Sequence, residues 1–308
     1  MPRVAVVGSA NVDYTVALPR LPQVGETVTG GSLLVNHGGK GANQAMAARK
    51  LGAEVRMIGA VGADRAGAAI REGLEQAGIG ADGITAIPGA ATGTALIFVD
   101  GLGRNQIGVA AGANHQLTVE MVRAHEETIE WAEVVLCQLE IPFAVVAWAL
   151  EAAKRHGAMT ILNPAPLRPL DERVLSLVDY LTPNEIEAAA LAGAEVTDLD
   201  SARVAAERLA GRGARHVLIT LGERGALAWD GGTALHFPAF PVEAVDTTAA
   251  GDAFNGALAV GLAAGGTLEQ AIPLAGAAAA LTCTRRGAQA SLPDRTEVER
   301  YLRSLRSR

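Results

Sequence analysis

Two acids six residues apart, in Asp246-Thr-Thr-Ala-Ala-Gly-Asp252, stand ahead of a long apolar run from Ala253 to Ala264. If a helix begins near Ala249 to Gly251, its first N–H groups lack intrahelical partners. Such an end draws anions through free donors and partial positive charge. Asp252 then falls in the first turn, beside the anion. An acid there can do one of two things. It can complement the helix dipole, or it can take a proton beside a transferring phosphoryl group whose charge the free amides stabilise. This stretch alone does not separate the two.

Other polar residues collect at strand ends. Asn11 and Asp13 follow the apolar run Val4–Gly8 and, two apart, share a face. Turn chemistry accounts for that pair equally well. His37-Gly-Gly-Lys-Gly-Ala-Asn-Gln44 opens a helix, and its glycines allow close approach to a polar ligand. Its spacing matches neither the dinucleotide fingerprint nor the triphosphatase phosphate loop. Lys40 is one of three lysines, with Lys50 and Lys154, among 26 basic residues; a solvated surface role for it stays open. Glu140, Asn163, Asn184 and Thr220 with Gly222 each follow an apolar run. In open parallel sheets ligands bind outside those carboxyl ends. Asn184 and Glu187, three apart, fit a capping box, and the carboxylate equally fits Mg²⁺ held through water. The six histidines show no metal-binding spacing.

The elements that must position these residues alternate. Strands are expected at 55–61, 133–138, 158–162, 178–181 and 215–220, and a hairpin across 225–237. Helices are expected at 66–76, 118–130, 142–156, 171–177, 184–192, 200–210, 252–264, 268–283 and 294–305. This is a doubly wound α/β pattern around a mostly parallel sheet. Thr27–Thr29, Leu33–Val35, Thr85–Ile87, Thr94–Val99 and Gln106–Ala110 are β runs broken by Gly89, Gly93, Gly101 and Gly103, with no helix between the later ones. They read as a small antiparallel lid, inserted at about 14–36 and 84–111 of a single domain spanning 1–308. A lid of this size should cover the cleft on one side and meet a second copy on the other.

Charge and composition narrow the class. A net charge of −7 with scattered basic residues argues against a nucleic-acid face or an anionic-membrane face. Cys137 and Cys283 are too few for a disulfide framework or a thiolate metal site. The N-terminal apolar stretch is too short for a signal peptide or a membrane span, so a cytoplasmic protein is expected.

Taken together, Gly8-Ser-Ala-Asn-Val-Asp13, Gly38-Gly-Lys-Gly-Ala-Asn43, Asn163-Pro-Ala-Pro166, Thr182-Pro-Asn-Glu185 with Glu187, Asp246–Gly256 and Thr284–Gln289 with Ser291 resemble the ribokinase-like carbohydrate and nucleoside kinases along nearly the whole chain. The resemblance implies a three-layer α/β/α sandwich and ATP-dependent phosphorylation of D-ribose at the 5-hydroxyl. It implies sugar contacts from Asn11, Asp13, Gly38, Gly39, Lys40, Gly41, Ala42, Asn43 and Glu140, with Asp252 as general base. Backbone N–H groups of Ala249, Ala250 and Gly251 would form the anion hole. ATP would meet Asn184, Thr220, Leu221, Gly222, Glu223, Arg224, Gly225, Gly251, Asp252 and Gly276, and Glu187 would position Mg²⁺ through water. Asp246, Thr248, Thr282, Arg285, Gly287 and Ser291 would hold K⁺, several by backbone oxygen. A homodimer through the lid is also implied. Kinases of deoxyribose, fructose or a purine nucleoside are the neighbouring reading. A non-catalytic sugar-binding protein would be expected to lack Asp252 or its glycine corner, and an oxidoreductase would need the Gly-x-Gly-x-x-Gly spacing.

Overall fold

The computed structural model describes residues 1–102 and 104–306, without the Arg306 side chain; Gly103 lies outside the described residues. The chain runs β1 (Arg3–Val7), β2 (Asn11–Ala17), β3 (Ser32–Gly38), α1 (Lys40–Lys50), β4 (Glu54–Gly62), α2 (Arg65–Gln76), β5 (Gly80–Ile87), β6 (Gly93–Val99) and β7 (Asn105–Ala110). It continues through α3 (Val119–Arg123), α4 (Glu126–Trp131), β8 (Val134–Gln138), α5 (Phe143–Arg155), β9 (Met159–Asn163), α6 (Glu172–Leu175), β10 (Tyr180–Leu181), α7 (Glu185–Ala192) and α8 (Leu199–Gly211). It closes with β11 (His216–Thr220), β12 (Ala226–Trp229), β13 (Ala234–Phe237), α9 (Ala250–Ala263), α10 (Leu268–Thr282) and α11 (Arg295–Arg306).

The large sheet has the order β13-β12-β11-β10-β9-β8-β1-β4-β5. It is parallel from β5 to β11, and β12 and β13 turn back antiparallel. Its strands are apolar on both faces, as burial between two helical layers requires. In β1, Val4 and Val6 join the core beneath α1, α2, α9, α10 and α11, while Ala5 and Val7 join the core beneath α3 to α8. The result is a three-layer α/β/α sandwich. Among the described residues no helix is long and apolar enough to cross a membrane.

The small sheet has the order β3-β2-β6-β7. Its outer ladders are antiparallel and its central β2–β6 ladder is parallel. The reason is topological. β2 continues from β1 and β6 from β5, both parallel members of the large sheet, so both leave its carboxyl edge in one direction.

Three local expectations need correction. Thr85–Ile87 is not part of the lid: it ends β5, whose parallel ladder on β4 includes Thr85 with Ala60 and Ile87 with Gly62. Thr27–Thr29 forms no strand, because Gly25 and Gly30, with φ of 82° and 91°, turn the chain on either side. The helix expected over 118–130 is two helices. The His125 N–H donates to the Val122 carbonyl (3.0 Å), and Glu126 and Glu127 start α4, where the helix dipole favours acids.

Candidate active site

The site is assembled where α1 and α9 begin, above the carboxyl ends of β1, β8 and β9. These two helices pack closely because α9 carries Gly256. A Cβ there would lie 2.6 Å from the Ala47 Cβ and 2.7 Å from the Gln44 carbonyl oxygen. That approach brings the first turn of α1 onto Asp252. Asn43 Nδ2 donates to Asp252 Oδ2 at 2.9 Å, and Gln44 Nε2 donates to Oδ1 at 3.0 Å.

Asp252 is 6% exposed. Burial raises its pKa above the ordinary carboxylate range, against the opposing pull of the Lys40 ammonium and the two amide donors; Glu140 adds a further upward push. Burial alone would lower the Lys40 ammonium, but the charges of Asp252, Glu140 and Glu187 more than offset it and hold its pKa above normal. The solvated surface reading of Lys40 therefore does not apply.

At the start of α1, Gly39 takes φ 87°, and a Cβ there would sit 2.8 Å from the Asn11 backbone nitrogen. Only glycine fits both demands. Glu140 Oε2 accepts from the Lys40 backbone N–H (3.0 Å) and the Ser9 hydroxyl (2.5 Å); Ser9 Oγ accepts from the Gly41 N–H (3.2 Å). A carboxylate from the end of β8 thus satisfies donors at the α1 start, where the dipole favours it.

Asn11 and Asp13 do not sit in a turn after β1. They begin β2, so the lid itself carries them, on one face and two apart as their spacing required. Asn114 Nδ2 donates to Asn11 Oδ1 (2.7 Å) and to the Ala10 carbonyl (3.2 Å), while its own Oδ1 accepts from the Ala10 N–H (2.9 Å). Gly93 leaves room for this pair: a Cβ there would lie 2.2 Å from both amide groups. Asp13 packs on Gly38, where a Cβ would lie 2.0 Å from Oδ2. Burial, then the like charges of Glu140 and Asp252, raise the Asp13 carboxyl to about 6.

On the other side of Asp252 lies a cavity of about 1260 Å³. Thr220, Leu221, Gly222, Glu223, Arg224, Gly225, Gly251 and Gly276 all line it, with Phe237, Phe240, Ile272 and Ala279 forming an apolar end. Gly225, at φ 92°, is required there, since a Cβ would meet the Phe237 carbonyl oxygen at 2.0 Å. The Arg224 guanidinium is tied to the Glu185 carboxylate and the Thr197 carbonyl. Asn184 is not in the cavity wall; it pairs with Thr220 in a β-bridge and forms the capping box of α7 with Glu187. Glu187 is 7% exposed, and burial raises its pKa against the Asn184 N–H and Lys40.

The α9 start has no side-chain cap. Ala249 adopts a left-handed φ of 62°, alone among the described non-glycine residues. That conformation costs a residue with a Cβ about 1–2 kcal/mol, and such strain concentrates at functional turns. The N–H groups of Ala249, Gly251 and Asp252 have no partner among the described residues, whereas the Ala250 N–H is engaged with the Thr247 carbonyl at 3.2 Å. The anion hole expected at this turn therefore has Ala250 only as a shared donor.

Asp246 lies behind this turn. Its Oδ1 accepts from the Thr248 N–H (2.9 Å) and its Oδ2 from the Gly287 N–H (3.0 Å). Burial opposes ionisation, but the Thr248 and Gly287 contacts hold its pKa below normal. Thr282 and Ser291 are fully buried and donate to the Ala278 and Ala288 carbonyls (2.9 and 2.8 Å). The Arg285 guanidinium pairs with Glu297, so only its main chain is left to face an ion.

A model of the pfkB family of carbohydrate kinases matches residues 1–295. The chain belongs to that family. Among relatives of this pfkB member, ribokinase of Haemophilus influenzae is 41% identical over 297 residues, covering 96% of this chain and 97% of its own. Deoxyribokinase of Salmonella typhi is 37% identical over 300 residues, covering 97% and 98%. The structure of Arabidopsis thaliana ribokinase complexed with ribose and ATP superposes with a TM-score of 0.92 at 33% identity, covering 98% of both chains. The family match and these relatives make this chain an ATP-dependent sugar kinase of the pfkB/ribokinase family.

Ser9, Gln44 and Asn114 join the site without a role assigned to them from sequence. Gln44 adjoins Asn43 on a helix start already singled out, so position alone could have found it. Asn114 stands 103 residues from Asn11 in a turn-like Ala-Gly-Ala-Asn-His stretch, and only the folded chain brings the two together.

Proposed function

We propose that the chain, acting as a single kinase domain, transfers the γ-phosphoryl group of ATP to the 5-hydroxyl of D-ribose, giving ribose 5-phosphate and ADP. One observation carries this reading. The Asp252 carboxylate is buried, held by Asn43 and Gln44, and set at an uncapped helix start with free N–H groups. A hydroxyl placed against Asp252 would lose its proton to the carboxylate as its oxygen attacks phosphorus. The N–H groups of Ala249 and Gly251, helped by Ala250, would stabilise charge on the phosphoryl oxygens. Asn11, Asp13, Lys40, Asn43 and Glu140, with the close backbone of Gly38, Gly39, Gly41 and Ala42, would bind the sugar. Desolvated polar groups of this kind reject a sugar that lacks one hydroxyl, because a partner is then left unpaired. The nucleotide would occupy the cavity from Thr220–Gly225 past Gly251 to Gly276, with Asn184 behind Thr220.

Asp252, Glu140 and Glu187 all act on one ammonium, Lys40, and Glu140 and Asp252 also act on Asp13, an excess of negative charge that suits a hard divalent cation. Glu187 would hold Mg²⁺ through water, and the ion would offset phosphate charge during transfer. The oxygen-only set of Asp246, Thr248, Thr282 and Ser291, with main-chain oxygens at Arg285 and Gly287, suits K⁺, which would order the loop behind the anion hole. On the lid, Leu33, Leu34, Val35, Leu96, Ile107 and Val109 are each at least half exposed, which supports a homodimer through this sheet. A monomeric mass independent of concentration would count against that pairing.

Deoxyribose is the one competing acceptor with a specific observation in its favour, the 37% identical deoxyribokinase. An ADP-release assay across ribose, deoxyribose, fructose and adenosine tests the assignment. The highest kcat/KM is expected with ribose, and a higher value with any of the others would replace ribose as the substrate.

A further inference from the structure

A chain of buried amides runs beneath Asp252. Gln138, the last residue of β8, donates from Nε2 to Gln44 Oε1 at 2.6 Å. Gln44 Nε2 is shared between Asp252 Oδ1 (3.0 Å) and Asn163 Oδ1 (3.2 Å), and Asn163 Nδ2 donates to the Thr182 carbonyl (3.1 Å). The Thr182 hydroxyl then donates to Asn255 Oδ1 (2.6 Å), and Asn255 Nδ2 donates to the Gly251 carbonyl (2.8 Å). Gln44 and Gln138 are fully buried.

The orientations in this chain are mutually determined. Turning the Gln44 amide over would set its oxygen against the oxygens of Asp252 and Asn163, and its NH₂ against that of Gln138. Asn163 cannot turn either, because its NH₂ faces a carbonyl. Satisfying Gln44 leaves Gln138 Oε1 buried without a partner, pressed where a Cβ on Gly8 would lie 2.1 Å away. An unpartnered buried acceptor costs stability, so packing does not account for the Gln138 amide. Its donor occupies the Oε1 end of Gln44 and leaves the Nε2 end for Asp252.

We propose that Gln44 and Gln138 are positioning residues for phosphoryl transfer: Gln138 fixes the Gln44 amide so that its N–H group aims the Asp252 carboxylate and keeps it ionised. The same chain, through Asn255, holds the Gly251 carbonyl and so ties the orientation of the base to the helix start that receives the phosphoryl group. This rests on Asp252 being the base. A donor removed from a carboxylate favours its protonated form.

The test is the pH profile of kcat at saturating ribose and ATP in Gln44→Met and Gln138→Met, alongside Asp252→Asn. In Gln44→Met the acid limb should move up by about one pH unit, with kcat on that limb down by up to about tenfold and recovered at alkaline pH. Gln138→Met keeps the side-chain length but removes the donor to Gln44 Oε1. It should shift the limb the same way, because nothing then holds that end of Gln44 and its N–H group is no longer fixed on Asp252. An inactive Asp252→Asn together with acid limbs in both glutamine variants that coincide with wild type would overturn the positioning role. Near-wild-type turnover in Asp252→Asn would instead remove the base assignment on which it rests. Thermal unfolding checks that each variant is folded, and if Gln44→Met is not, the Gln138→Met profile decides alone.

Discussion

On the side of the cleft proposed for the sugar, Asn43 and Asp252 are buried, Asp13 and Asp252 feel the charge of Glu140, and the groups come from α1, α9, the lid and the ends of the sheet. On the side proposed for the nucleotide, the wall is backbone from Thr220 to Gly225 and apolar side chain along α10, and its one guanidinium, Arg224, is already paired. The two halves divide the work of a kinase in physical terms. In the proposed assignment, desolvated charges would read hydroxyls and hold a base, while free amides and an apolar slot would hold a phosphate chain and a base ring with little buried charge. Substitution should therefore be costly on the first side and mild on the second.

The largest expected break is Asp252→Asn. It keeps the shape and removes the proton acceptor, so kcat should fall by at least about a thousandfold while ribose and ATP still bind in calorimetry, consistent with loss of an interaction made only in the transition state. Turnover near wild type would dissolve the distinction between the halves. Next comes Asp13→Asn, which should raise KM for ribose on the order of a hundredfold and leave KM for ATP within about twofold, as expected when a charged hydrogen-bond acceptor is lost.

The same carboxyl predicts two pH effects of opposite benefit. Its folded value of about 6 exceeds the unfolded 3.8, so the native state binds the extra proton between them and loses stability as pH rises through that window. Asp13→Asn should consequently raise the melting temperature of the ligand-free protein at pH 7.5, by a few degrees on the order of 1 kcal/mol or more. Sugar binding runs the other way. KM for ribose should rise as pH falls below about 6, where Asp13 can no longer accept two hydroxyls. A flat KM between pH 5 and pH 8 would contradict the assignment. The smallest effect belongs to the loop behind the proposed anion hole: replacing K⁺ by Na⁺ at constant ionic strength should lower kcat a few-fold, on the order expected if the ion orders that loop without touching substrate. Indifference between the ions would remove Asp246 from the account of catalysis.

What could be read from the chain follows the same division. The α9 corner was legible because small residues, then an acid, then an apolar helix have a local meaning, and the structure leaves that helix start uncapped. The Asn184–Glu187 spacing was legible as a capping box for the same reason. The lid strands at Leu33–Val35, Thr94–Val99 and Gln106–Ala110 were legible too, falling in β3, β6 and β7, but the place of Asn11 and Asp13 among them was not. Asn11 and Asp13 pair with Gly93 and Ala95 through a parallel ladder about 80 residues long in sequence separation, and no local pattern signals that pairing. Thr85–Ile87 looked like an isolated β run because the exposed Gly80 and Asp82 masked the start of β5. The partners of Asn11 and of Gln44, Asn114 and Gln138, lie 103 and 94 residues away and become visible only on folding.

The central claim is that the buried half of the cleft presents the 5-hydroxyl of ribose to Asp252. Phosphorus and proton NMR of the products formed from ATP and D-ribose test it most directly. The account predicts one sugar ester, ribose 5-phosphate, formed in step with ADP. ADP appearing without a sugar ester, or an ester at another hydroxyl, would contradict it.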